Sequence, residues 1–250
     1  ERYSHLRPRV RVMENPSGWW KYAYNAICMD SRERSKAYLQ KIIKNKILIN
    51  EIIFMNQKNV EKKFSEECIE ESKKCGFNIS ESVEETLKKN KMTFKEFKFN
   101  DINNHELIEF IKKSNTEYFI FTGGGILKDE ILSCRSKFIH FHPGIVPEYR
   151  GSTCFYYSII NQGYCGVTAF IMNKGLDTGD IIYQKKFLKP SHQFIDDVYD
   201  ANIRSETLID ILKNNYLEKN QTTKQDKIEG NTYFIIPTVL KHIAILKSLN

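Results

Sequence analysis

Two histidines and an aspartate carry the chemistry this sequence can offer. His140 and His142 stand two apart at the end of the run Lys137-Phe138-Ile139-His140-Phe141-His142, which is followed by Pro143 and Gly144. On a strand, residues i and i+2 share a face, so both imidazoles point the same way at the strand's mouth. Histidine titrates near neutrality and serves as general acid or base. A carboxylate beside it favours the charged ring. Asp177, in the turn signature Leu176-Asp177-Thr178-Gly179-Asp180, is the candidate carboxylate. The same three residues could instead ligate a metal. The acid–base reading is preferred, and no metal is assigned. Gly123-Gly124-Gly125 follows another apolar run. No Lys-Ser/Thr comes after it and no G-x-G-x-x-G is present, so it is neither a P-loop nor a dinucleotide fingerprint. Glycines there would let a flat ligand approach backbone amides.

These residues need elements to hold them. Apolar runs at 47–55, 118–121, 137–142, 167–172 and 181–187 have strand length. Residues 94–99 alternate apolar and charged side chains, as an edge strand does. Helices are expected at 61–75, 106–113, 154–161 and 195–213. Another, capped by Asp30 or Ser31, should run through Tyr38, Leu39, Ile42 and Ile43. Residues 218–230 read as a polar loop. Strands alternating with helices imply an α/β fold with a mainly parallel, Rossmann-like sheet flanked by helices. In such sheets ligands bind at the carboxyl ends of the strands, where Gly123 and His142 both lie.

Composition narrows the class. The chain has 250 residues, 41% hydrophobic and 28% charged, which suits a globular protein. No apolar run reaches the roughly 18 residues of a membrane span, and no signal segment opens the chain. The net charge is +7, but the excess is scattered and forms no recognisable RNA-binding module. The six cysteines include no C-x-x-C pair, which disfavours zinc, and they are expected to be reduced thiols. A cytoplasmic protein without nucleic-acid or membrane partners is expected.

The segment His142-Pro143-Gly144-Ile145-Val146-Pro147-Glu148-Tyr149-Arg150-Gly151 resembles the H-P-x-L-L-P-x-Y-R-G element of the formyltransferases that use 10-formyltetrahydrofolate. Gly166-Val167-Thr168 and Leu176-Asp177-Thr178-Gly179-Asp180-Ile181-Ile182 follow in that family's order. The resemblance runs from about residue 46 to 184, and more loosely to the C-terminus. It implies a catalytic trio in which His142 and Asp177 match the family's histidine and aspartate, while His140 stands where the family has asparagine. A histidine N–H would then replace the amide as oxyanion donor. It also implies that 10-formyltetrahydrofolate is the formyl donor, bound by Gly123, Gly124, Gly125, Ile126 and Leu127 and by Lys174, Gly175 and Leu176.

Within that family the acceptor is glycinamide ribonucleotide, methionyl-tRNA or an amino sugar on a nucleotide. Residues 186–250 read mainly as helix, not as the C-terminal barrel of the tRNA enzymes. No glycine loop near 28–32 suggests the ribonucleotide phosphate site. A nucleotide-linked amino sugar is therefore expected, with a homodimer as the candidate assembly. Three regions follow: an atypical segment at 1–45, a catalytic domain at 46–190 and a helical extension at 191–250. Within the first, Arg7-Pro8-Arg9, Asn15-Pro16, Trp19-Trp20-Lys21-Tyr22-Ala23 and Arg32-Glu33-Arg34 resemble a segment of the chorein-type vacuolar sorting proteins that transfer lipids. Either that segment is foreign to the fold, or residues 22–29 form its first strand. The alternative functions are an impaired formyltransferase-like binding protein and a fusion with a lipid-transfer fragment.

Overall fold

The computed structural model describes residues 25–56, 62–99, 101–123, 126–219, 221–225 and 230–249. Strands and helices alternate through the first half: β1 (Asn25–Met29), α1 (Glu33–Lys44), β2 (Glu51–Met55), α2 (Glu66–Lys74), α3 (Val83–Lys89), β3 (Lys95–Phe97), α4 (His105–Lys113), β4 (Tyr118–Phe121), α5 (Asp129–Leu132) and β5 (Lys137–His142). The second half holds β6 (Tyr149–Gly151), α6 (Cys154–Gln162), β7 (Tyr164–Ile171), β8 (Ile181–Leu188), a π-helical turn (Ile195–Tyr199), α7 (Asp200–Lys213), β9 (Asn231–Tyr233) and α8 (Thr238–Leu249).

Seven strands form one sheet in the order β3-β2-β1-β4-β5-β7-β8. The first five run parallel, and β7 and β8 are antiparallel. β3 is an edge, as its alternation predicts. The fold is the Rossmann-like α/β arrangement expected. Its strands read as continuous apolar runs because helices cover both faces. Along β1, Ala26 and Cys28 join the core under α4 and α5, while Ile27 and Met29 join the larger core under α1, α6 and α7. β5 obeys the same period: Phe138 faces the first core, while Ile139 and Phe141 face the second.

Polar residues start several helices. Ser65 accepts the Cys68 N–H at 3.2 Å, and Asn104 accepts the Glu106 N–H at 2.9 Å. Ser82 and Glu85 form a reciprocal capping box. α1 differs from expectation. Its N-cap is Arg32, and Asp30 instead accepts from the Arg32 N–H and the Ser35 hydroxyl at 3.0 and 2.9 Å. The carboxylate orders the turn without capping the helix.

β1 pairs with both β2 and β4 at the centre of the sheet, and α1 packs on α7. Residues 25–45 are thus built into the fold, because the central strand must come first in a sheet wound outward from it. Residues 1–24, which carry most of the lipid-transfer resemblance, lie outside the described residues. Beyond residue 191, α7 packs on β5, β7 and β8. Among the described residues, no helix is long and apolar enough to cross a membrane.

Candidate active site

The sheet winds outward in two directions from β1 and β4, so the carboxyl ends of its inner strands open a crevice at the switch in strand order. β5 delivers His142 there. The ring is 2% exposed. Its Nε2 lies 2.8 Å from the Tyr149 carbonyl oxygen, and its Nδ1 lies 3.3 Å from Asp177 Oδ2. A carbonyl only accepts, so Nε2 carries a proton. The Nδ1–carboxylate contact is favourable only if a second proton is shared across it. His142 and Asp177 form one acid–base couple. Burial pulls the His142 pKa below its usual value, and the Asp177 charge opposes that shift.

Asp177 lies in the β7–β8 connection with φ 52°, a left-handed backbone that aspartate tolerates better than most residues. Its Oδ2 also accepts the Gly151 N–H at 2.8 Å. Gly144 explains the His-Pro-Gly run. A Cβ there would lie 2.7 Å from the Tyr149 oxygen and 2.8 Å from His142 Nε2. Only glycine leaves room for that hydrogen bond.

His140 shares the face, as the strand period requires. One nitrogen of each imidazole and an Asp177 carboxylate oxygen all lie within 4.8 Å of one another. The His140 ring meets Phe170 edge-on, with centroids 5.8 Å apart. Burial and the charges of Arg204 and Arg34 push its pKa well below 6.5, so the ring is neutral. Contact with the Phe121 backbone opposes that shift, and Nδ1 is buried with no partner among the described residues. A neutral imidazole holds one donor and one acceptor nitrogen, so the unpartnered Nδ1 donates to an oxyanion in one tautomer and accepts in the other. The same three atoms of His140, His142 and Asp177 are also spaced as metal ligands would be.

The expected ligand loops flank this trio. Gly123 lies two residues past the end of β4, while Gly124 and Gly125 lie outside the described residues. Ile126 is exposed, and Leu127 is buried in the core, which leaves the Leu127 backbone as the part a ligand could reach. Asn103 staples the loop, donating to the Ile126 carbonyl at 2.9 Å and accepting the Lys128 N–H at 2.7 Å. Across the mouth, Lys174 reaches Asp129 at 2.7 Å. The Gly175 N–H donates to Asn173, and Leu176 is exposed.

Several supporting residues escaped the sequence reading. Thr168, fully buried opposite His142 on β7, donates to the Gly144 carbonyl at 2.7 Å and accepts the Val146 N–H at 3.2 Å. Gln184 adds bonds to Val146 and Thr168 at 2.7 and 3.1 Å. Arg204 of α7 bonds Asp200 at 2.7 Å and the Phe141 carbonyl at 2.7 Å. The one hint for Thr168 was its place in Gly166-Val167-Thr168. Nothing marked the others.

The model of the formyl transferase family matches residues 41–207. The chain belongs to that family. A methionyl-tRNA formyltransferase of Caldanaerobacter subterraneus subsp. tengcongensis is 32% identical over 146 residues, covering 56% of this chain and 47% of that relative. One from Finegoldia magna is 25% identical, covering 53% and 46%. This formyl transferase chain thus spans about half the length of those relatives. Its fold is similar to the Helicobacter canadensis N-formyltransferase solved with folinic acid and dTDP-3-aminofucose, with TM-score 0.59 and 18% identity over 90% of this chain and 80% of that one. It is also similar to a sugar N-formyltransferase from Shewanella sp FDAARGOS_354, with TM-score 0.54 and 17% identity over 90% and 88%.

Proposed function

We propose that the chain transfers a formyl group from 10-formyltetrahydrofolate to a primary amine, an amino sugar carried on a nucleotide. The observation that carries this reading is the convergence of His142, Asp177 and the bare His140 Nδ1 at the carboxyl end of β5. The residues present fit such a donor. Gly123 packs so closely that a Cβ would meet the Phe121 ring at 2.7 Å, which keeps the β4 end open to a flat ring. Ile126 and Leu176 offer exposed apolar tips on the two flanking loops. The folate supplies an electrophilic formyl carbon on nitrogen.

One bond forms, from amine nitrogen to formyl carbon, and the bond from formyl carbon to the folate nitrogen breaks. The proton that the amine loses ends on that folate nitrogen. His142 and Asp177 are placed to hold and pass it, with the Tyr149 carbonyl fixing the ring. His140 Nδ1 accepts an N–H of the amine and so aims its lone pair. His142 is buried, while His140 and Asp177 are half-buried and open toward the crevice.

The amino sugar is supported by the Helicobacter canadensis enzyme of like fold, whose complex holds dTDP-3-aminofucose. A second acceptor, methionyl-tRNA, is favoured by the names of the sequence relatives. Incubation with 10-formyltetrahydrofolate and a panel of amino-sugar nucleotides and methionyl-tRNA decides between them. Tetrahydrofolate release with at least one amino-sugar nucleotide is expected. Transfer to methionyl-tRNA alone would replace the acceptor, and transfer to no amine would overturn the reaction.

A further inference from the structure

The Asp177 loop is held by a segment that lies beyond the residues the family model matches. Gln225 follows Thr223, whose backbone bridges to Ile181 at the start of β8 through two hydrogen bonds of 2.8 Å. From there the Gln225 amide Nε2 donates to two carbonyls of the loop, Asp177 at 3.0 Å and Gly179 at 2.6 Å. Its Oε1 accepts from Arg150 Nε at 3.3 Å and Nη2 at 3.1 Å. Arg150 is 6% exposed and lies in β6, next to Gly151, whose N–H holds the Asp177 carboxylate. One amide therefore ties the backbone of Asp177 to the strand that binds its side chain. On its other side Gly179 packs against β7, where a Cβ would lie 1.7 Å from the Ile171 carbonyl oxygen.

We propose that Gln225 is a positioning residue for the reaction, holding the Asp177 carboxylate on His142 Nδ1 through a clamp made with Arg150. The proposal rests on reading His142 and Asp177 as the reactive couple. A left-handed aspartate in a connection between two strands has no helix or ladder to fix it, so side-chain bonds must. Besides Asp177, the titratable and charged groups facing His142 are His140 on β5, Arg204 and Asp200 on α7, and Cys154 on α6, which senses Asp177. None of these contacts Gln225.

The test compares Gln225→Leu with the wild-type chain and with Asp177→Asn. The first readout is the pH titration of the His142 Nδ1 ¹⁵N chemical shift in the ligand-free protein, which reports the Asp177 charge held against Nδ1 without needing any substrate. In Gln225→Leu the signal is expected to move toward that of Asp177→Asn. A wild-type shift retained in Gln225→Leu, or already equal to Asp177→Asn, overturns the proposal. The second readout is formyl transfer to the best amine of the panel: kcat falls about 10- to 100-fold in Gln225→Leu while the folate KM stays within about twofold. An unchanged kcat overturns the proposal. Should Gln225→Leu fail to fold, Gln225→Glu keeps the acceptor for Arg150 but loses both N–H bonds, and the same two readouts apply. A wild-type chain that transfers formyl to no amine sinks the proposed reaction, and the Nδ1 shift then decides the clamp alone.

Discussion

A methyl group at Gly144 would meet His142 Nε2 and the Tyr149 oxygen at the distances of hydrogen-bonded atoms, 2.8 and 2.7 Å. The Gly144→Ala chain must therefore break the bond that orients the imidazole, and formyl transfer should fall about 100-fold. Circular dichroism of the variant should still show a folded protein, because the displaced groups lie at the mouth of the sheet. Asp177→Asn keeps the shape and removes the negative charge that shares the proton. Its kcat should fall about 10²–10⁴-fold with little change in folate KM, and a KM effect alone would mean that Asp177 only binds. That His142 and Asp177 meet was legible in the sequence, from a histidine at a strand end and an aspartate in a turn signature between two strands. His140 was legible as a position on the face of His142, but which of its nitrogens carries the proton depends on hydrogen bonds that the β5 segment does not encode. Thr168 and Gln225 were hidden because each acts through hydrogen bonds to chain distant in sequence.

At the scale of elements, α7 links the site to the core. Arg204 reaches the Phe141 carbonyl on β5, and Asp200, one helical turn earlier, pairs with it at 2.7 Å. Both side chains are at most 10% exposed. Removing one partner leaves a buried charge unpaired, so Asp200→Ala should cost about 3–5 kcal/mol of unfolding free energy in urea. A loss under about 1 kcal/mol, the scale of a surface pair, would show that solvent reaches the pair. The strands were readable because covered sheets demand continuous apolar runs, which is why 118–121 and 137–142 match β4 and β5. α3 was missed because its seven residues are too short for a helical period to stand out. β6 and β9 were missed for another reason. They exist only as partners of each other, 80 residues apart, with Tyr149 stacked on Tyr233 at 5.2 Å. β1 was ambiguous because its aromatic approach fits either regular structure, and only pairing with β2 and β4 settles it.

At the scale of the molecule, buried ionisable groups set how stability follows pH. His140, His142 and His192 all have folded-state pKa values below 6.5, each chiefly through burial. Their contribution is present above pH 6.5 and is lost as the pH falls toward the folded values, because only the unfolded chain takes up the protons readily. Each can remove up to about 1.4 kcal/mol per pH unit within its window. Burial acts in the opposite sense on thiols and phenols. Cys165 rises from 9.0 to about 11 and Cys154 to about 12, while Cys28, Tyr38, Tyr156 and Tyr199 rise further. Their contribution is present below pH 9 and is lost as the pH climbs through the folded values, since the unfolded chain ionises first. Lys41 runs against them. Burial lowers it from 10.5 to about 8, so it adds stability as the pH rises between those values. One lysine opposes six groups, and the six should win. Urea unfolding measured from pH 5 to 10.5 should therefore give a plateau between about 6.5 and 9 with a fall on each side. A free energy that keeps rising past pH 9 would mean that the thiols and phenols are reached by water in the folded protein, and that the core packed against the site is looser than its burial implies.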